Sequence, residues 1–130
     1  MNHNNEELQI LTFNIGGVGM AVDTSQVDRM MDIEDAIHMQ SKFEWIDDKI
    51  LFHGKVAFTS PTVLWIKDEK IPFGIVIDKP GDIVSVPFDS LRPLPALLSG
   101  SKCPGAIWGA VLMNDNVILL VDFYKLRDTK

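Results

Sequence analysis

The residues of this chain that could do chemistry are three histidines, one cysteine and adjacent carboxylates, among them Glu34-Asp35 and Asp47-Asp48. Their spacing argues against chemistry. His3, His38 and His53 fall in no metal-ligand spacing with one another or with Cys103. Cys103 has Ser101 and Lys102 before it and Pro104-Gly105 after it. A nucleophilic thiol needs a base and an electropositive setting, and these neighbours offer little of either. Glu34-Asp35 and Asp47-Asp48 are sequence neighbours. On a strand such neighbours point to opposite faces and cannot share a proton across a substrate, so they read as solvated turn residues. Gly16-Gly17-x-Gly19 lacks the Lys-Ser/Thr step and helix start of a phosphate loop, and reads as a hairpin turn. Asp78 and Asp122 each end an apolar run and are expected to cap the turn or helix that follows. With no nucleophile, base and oxyanion donor in view, the expectation is a binding protein that is not an enzyme and uses no metal or cofactor.

Composition narrows the class. The chain has 130 residues, 46% hydrophobic and 23% charged, which fits one globular domain with a real core. A formal net charge of −6 disfavours nucleic acid and anionic lipid as partners. One cysteine cannot form an intrachain disulfide. The start is polar and acidic, unlike a secretory signal, and no apolar run reaches the length of about 20 residues that spans a bilayer. The expected setting is cytoplasmic, without membrane insertion. Trp45, Trp65 and Trp108 read as core residues or interface anchors. Met30, Met31 and Met39 read as packing residues or an adaptable contact surface.

The elements that must position these side chains are short and numerous. Residues 1–7 read as a disordered tail and 8–130 as a single domain. Leu8–Ile15 alternates, with Gln9, Leu11, Phe13 and Ile15 on the expected buried face, and returns through Gly16-Gly17 to Val18–Val22. Asp23-Thr24-Ser25 offers a cap for a helical turn over Gln26–Arg29, followed by an extended Met30–Ile33. In Glu34–Asp48, Met39, Phe43 and Ile46 fit one helical face, and a loop with a short helix fits equally. Ile50–Phe52, His53-Gly54 and Lys55–Thr59 read as a second hairpin. Strands follow at Thr62–Lys67, Ile71–Asp78 and Ile83–Phe88, the last a sheet edge because of Pro87. Leu91–Pro95 is too proline-rich for helix, and Ala96–Leu98 could form a helical turn. Ala106–Met113 and Val117–Val121 form a closing hairpin before a helix at Phe123–Leu126. Nine or ten short strands predict an all-β barrel or sandwich.

In order and spacing these pieces resemble the CheW-like domain family of bacterial chemotaxis, over about Leu8 to Leu126. The opening hairpin, Asp23-Thr-Ser-Gln-Val27, Phe73-Gly-Ile-Val-Ile-Asp78, Asp82-Ile-Val-Ser-Val86 and Leu91-Arg-Pro-Leu-Pro95 are similar to the family's successive elements. So are Pro104-Gly-Ala-Ile-Trp-Gly-Ala110 and Val117-Ile-Leu-Leu-Val-Asp-Phe123. The middle departs. Where the family has Gly-Val-Ile-Asn-Leu-Arg-Gly, this chain reads Lys49-Ile-Leu-Phe-His-Gly54. Gly54 matches, His53 stands where the family has arginine, and the Asp-Leu segment that follows is shortened or missing.

The resemblance implies two small five-stranded SH3-like barrels, intertwined and packed on a shared apolar core, with short helical turns. It also implies an adaptor, or scaffold, that couples a methyl-accepting chemoreceptor tip to the regulatory domain of a histidine kinase in signal transduction. Val27, Met30, Met31, His53, Gly54 and Val56 are the candidate receptor-binding groove, and Val84 and Val86 the candidate kinase-docking residues. The alternative is a β-barrel small-molecule sensor or regulatory binding module, with Trp45 or Trp65 lining a cavity.

Overall fold

The computed structural model describes residues 6–39, 42–50, 52, 54–68, 70, 72–93 and 105–128. The chain opens with β1 (Glu7–Ile15) and β2 (Val18–Asp23), a hairpin whose turn glycines both take positive φ, 58° at Gly16 and 90° at Gly17. β1 thus begins at Glu7, inside the stretch expected to be a tail. A 3₁₀ turn, Thr24–Gln26, follows, with Ser25 N donating to the Asp23 carboxylate at 2.9 Å. The cap is as expected, but the turn is shorter and leads at once into β3 (Val27–Asp32).

The illegible stretch resolves into α1 (Ile33–His38), β4 (Lys42–Trp45) and a 3₁₀ turn at Ile46–Asp48. Met39, Phe43 and Ile46 therefore share no helix. β5 (Pro61–Ile66), β6 (Phe73–Asp78) and β7 (Ile83–Pro87) come next. The last strands are β8 (Arg92–Pro93), β9 (Ile107–Met113) and β10 (Asn116–Val121), before α2 (Phe123–Asp128).

The strands form two sheets that curl like small barrels. One has six strands in the order β7-β1-β2-β10-β9-β8, the other four in the order β3-β5-β6-β4. Among the described residues this is the expected mostly-β architecture of two barrel-like sheets with short helices. The expected hairpin at Ile50–Thr59 is not formed. Lys55–Phe58 carries no regular structure, and Leu51 and His53 lie outside the described residues. β3 pairs with β5 and β4 pairs in parallel with β6, so the two inner strands of that sheet already have both their partners. The expected helical turn at Ala96–Leu98 also lies outside the described residues.

Side-chain alternation divides the apolar residues into three cores. The central core lies between the sheets. Leu11, Phe13, Ile15, Met20 and Val22 meet Leu64, Ile66, Ile75 and Ile77 there, with Phe123 and Leu126 of α2. Ile10, Ala21, Val86, Val111 and Leu120 fill the curl of the six-stranded sheet. Ala36, Val63, Trp65 and Val76 fill the curl of the four-stranded one. β1 is therefore buried on both faces through its middle, where the sequence pattern pointed to one.

Gly74 on β6 shows how tightly the smaller curl is packed. A Cβ there would sit 2.5 Å from Val63 Cγ1 and 3.1 Å from two Trp65 ring carbons. Both neighbours are buried among other core residues and have little room to move. Gly74→Ala is expected to lower stability by about 1–3 kcal/mol, read as a lower urea midpoint at unchanged slope.

Candidate functional site

A groove runs between the edge strands of the two sheets, β3 and β7. It encloses about 230 Å³ and is lined by Leu11, Val27, Met30 and Ile83, with Thr24, Asp28 and Arg29 around them. Simple alternation would put Val27 and Met30 on opposite faces of β3. The pairing of β3 with β5 shifts register between Val27 and Arg29, so Val27 lies opposite Ile66 and Met30 opposite Leu64. Ile66 and Leu64 both face the central core. The bulge at Asp28 thus brings Val27 and Met30 onto one face, at the open rim of that core. Val27 is half-buried against it, while Met30 is 49% exposed. Such an apolar floor with a charged rim has the make-up of a protein-contact surface.

The other expected groove residues divide. Met31 turns the opposite way and packs against the interior of the four-stranded curl. Val56 packs on the central core, within 4 Å of where a Gly16 side chain would be. Ile15, which ends β1 just before Gly16, lies four residues from Leu11, roughly 14 Å away at the rise of an extended strand. Val56 therefore does not face Val27 and Met30. Gly54 is exposed with φ 82°, and His53 lies outside the described residues.

The expected kinase-docking pair, Val84 and Val86, lies on the inward face of β7. Val86 is only 6% exposed and Val84 half-buried, both against the interior of the six-stranded curl. Ile83, Ser85 and Pro87 point outward instead, and Ile83 joins the groove of Val27 and Met30.

A second apolar surface lies at the hairpin end of β1 and was missed from sequence. Leu112 and Val117 are cross-strand partners on β9 and β10, 66% and 60% exposed. The parallel register of β10 with β2 sets Val117 beside the exposed Val18. These three continue the face whose deeper members, Leu119 and Val121, pack in the central core. Trp108 is also exposed and borders a separate 230 Å³ pocket with Leu91, Arg92 and Pro93. Grouped large apolar side chains at a surface mark contact sites more than scattered ones do. In sequence these residues look like ordinary strand interior, and their exposure had no local signal.

The remaining chemistry-bearing residues do structural work. Asp122 caps α2 as expected, its carboxylate accepting from Tyr124 N at 3.0 Å and Lys125 N at 3.3 Å. Asp78 does not cap the turn after it. It accepts from Thr59 N and Ser60 N, residues far earlier in the chain. Glu34 and Asp35 lie in the first turn of α1, where the helix dipole favours negative charge. His38 is exposed in its last turn. Cys103 and His3 lie outside the described residues.

A cleft of about 450 Å³ sets Lys42, Lys70 and Arg127 against Glu44, Asp68 and Asp128. Its signs balance, so it presents no single-sign field. Arg127 is held above the ordinary arginine value by hydrogen bonding to Asp128 and by the charges of Asp128 and Asp68. Among the described residues no group of three His, Cys, Asp or Glu side chains could hold a metal ion. Nor is any helix among them long and apolar enough to cross a membrane.

Trp45 packs edge-on against Phe58 at 4.9 Å. Trp65 is buried, and no partner is found for its Nε1 among the described residues. It borders a space of only 110 Å³ with Asp28, Arg29 and Asp68 in its wall. Apolar small-molecule pockets are usually some 300–1,000 Å³.

Neither a protein-family model nor a curated protein matches the sequence. The fold, however, is that of a solved scaffold protein. The crystal structure of scaffolding protein TtCheW from Thermoanaerobacter tengcongensis superimposes with a TM-score of 0.74. The match covers 97% of this chain and 91% of that one, at 12% sequence identity. The chain has a CheW-like fold.

Proposed function

We propose that this chain is a non-catalytic cytoplasmic adaptor that couples chemoreceptors to a histidine kinase by protein–protein contacts. The observation that carries the reading is the pair of separate apolar surfaces, at different positions along β1, on a fold shared with the scaffolding protein TtCheW. A coupling protein needs two faces that can be occupied together. In this reading the groove of Val27, Met30 and Ile83 takes the receptor tip. The patch of Val18, Leu112 and Val117 takes the kinase regulatory domain. Met30 and Val117 are exposed, so altering them leaves the core intact.

The test uses the receptor tip and kinase regulatory domain encoded in the same genome, each immobilised in turn. A charge at the centre of an apolar contact is desolvated without a partner. Met30→Glu is expected to weaken tip binding by about tenfold or more while kinase binding holds. Val117→Glu is expected to do the reverse. Binding of neither partner by the wild-type chain overturns the adaptor reading. Equal loss of both partners with either variant overturns the assignment of the two surfaces.

A further inference from the structure

We propose that Met30 is a sulfoxidation site, at which a peroxide turns the floor of the groove from apolar to polar. Five methionines lie among the described residues, and their settings differ. Met20 is fully buried in the central core. Met31 and Met113 are half-buried against the interiors of the two curls. Met39 is exposed, but its sulfur accepts from Arg29 Nη2 at 3.9 Å, which engages a lone pair. Met30, nearly half exposed, is the most open of the five, and the bulge at Asp28 turns it out of the sheet toward the groove.

The chemistry is a two-electron oxygen transfer. The thioether sulfur attacks the terminal oxygen of hydrogen peroxide, and the S–O bond forms as the O–O bond breaks. The transferred oxygen gives up its proton to the departing one, which leaves as water. Sulfur loses two electrons and the peroxide gains them. The product is a polar, chiral sulfoxide in place of a flexible apolar side chain. Leu11, Val27 and Ile83 beside it have no side-chain donor for the new oxygen; the donors of the groove, Thr24 and Arg29, stand at its rim, and Arg29 already donates to Met39. A partner's apolar side chain seated there would bury an unpaired acceptor. This consequence for docking rests on the adaptor reading; the site of oxidation does not.

The full chain is treated with graded hydrogen peroxide, and each methionine peptide is followed by mass spectrometry. Met30 is expected to gain oxygen first, about threefold or more faster than Met31 and Met113, with Met20 silent while the chain is folded. Any of the other four reacting ahead of Met30, Met39 included, or all five reacting at one rate, overturns the proposal. In the second arm the wild-type chain and Met30→Leu are each titrated with the receptor-tip fragment before and after peroxide. Each protein is compared with its own untreated affinity. The wild type is expected to lose about tenfold and the variant to hold its own value. Equal loss in both overturns the control of docking by Met30. An untreated chain that binds no tip overturns the adaptor reading, and the oxidation order still decides whether Met30 is the reactive site.

Discussion

Phe123→Ala is expected to lower the unfolding free energy by about 3–5 kcal/mol, the range for truncating a large buried aromatic side chain. Phe123 is fully buried, and its ring meets Phe13 edge-on with centroids 6.2 Å apart. An aromatic pair of this geometry adds about 0.5–1.5 kcal/mol to plain burial. Its position makes the cavity hard to close. Phe123 N donates to Gln26 Oε1 at 2.8 Å, and Gln26 Nε2 donates to the Asp122 carboxylate at 3.1 Å. The next residue, Tyr124, donates its hydroxyl to Lys67 O at 2.7 Å. The start of α2 is thus tied both to the turn before β3 and to the end of β5. It cannot move into a void without breaking these bonds.

The loss should appear in urea as a lower midpoint at unchanged slope. Phe123→Leu, which keeps most of the volume, should cost about 1–1.5 kcal/mol. An alanine variant as stable as the leucine variant would show that α2 can collapse onto the core, against the hydrogen bonds described. The link to function is direct. Phe123 and Leu126 pack in the core that joins the two sheets, and both proposed docking surfaces lie at the rim of that core.

What could be read from the sequence was mostly local. The β1–β2 and β9–β10 hairpins carry their turn residues in the chain, and the structure realises them. Gly16 and Gly17 are at positive φ in the first, and Asn114 and Asp115 at φ 51° and 67° in the second. Asp122 caps the helix beside it, which is also a local relation. Pro87 marked β7 as an edge because a proline cannot donate to a ladder, and β7 ends the six-stranded sheet.

What failed depended on partners distant in sequence. Lys55–Phe58 has an acceptable strand pattern, but β3 and β4, not this segment, pair with the inner strands β5 and β6. β4 is only four residues long, and its parallel partner β6 starts about thirty residues later. The face of a side chain on β3 depends on a bulge that the residues do not announce. Val86 looked available and is buried because β7 closes a curl. Val117 stands in an all-apolar run and is exposed because the central core ends before it. The fold class was therefore legible, while the two proposed contact surfaces depend on where curled sheets stop covering one another.

Asp78→Ala is expected to cost about 3–4 kcal/mol, from the loss of bonds between a buried carboxylate and two backbone donors. Asp78 is 1% exposed. Its oxygens accept from Ser60 N at 2.6 Å and from Thr59 N at 3.1 and 3.2 Å. These donors belong to the irregular segment that replaces the expected hairpin, at its entry into β5. Pro61 and Asp78 are register partners, so the carboxylate holds the chain just where the β5–β6 ladder begins. Ser60 O also accepts from Thr62 Oγ1 at 3.0 Å, so the segment is pinned through both its donors and its acceptor. Alanine would leave two backbone N–H groups without their acceptor beside a buried strand. Asparagine keeps one acceptor oxygen, which can serve Ser60 N while Thr59 N goes short, and should cost about 1–2 kcal/mol. Hydrogen exchange separates this account from plain loss of packing. At equal global stability, the Thr59 and Ser60 amides should lose protection in Asp78→Ala and keep part of it in Asp78→Asn. Alanine and asparagine variants of equal stability, with those two amides equally protected, would show that the carboxylate does not hold this segment.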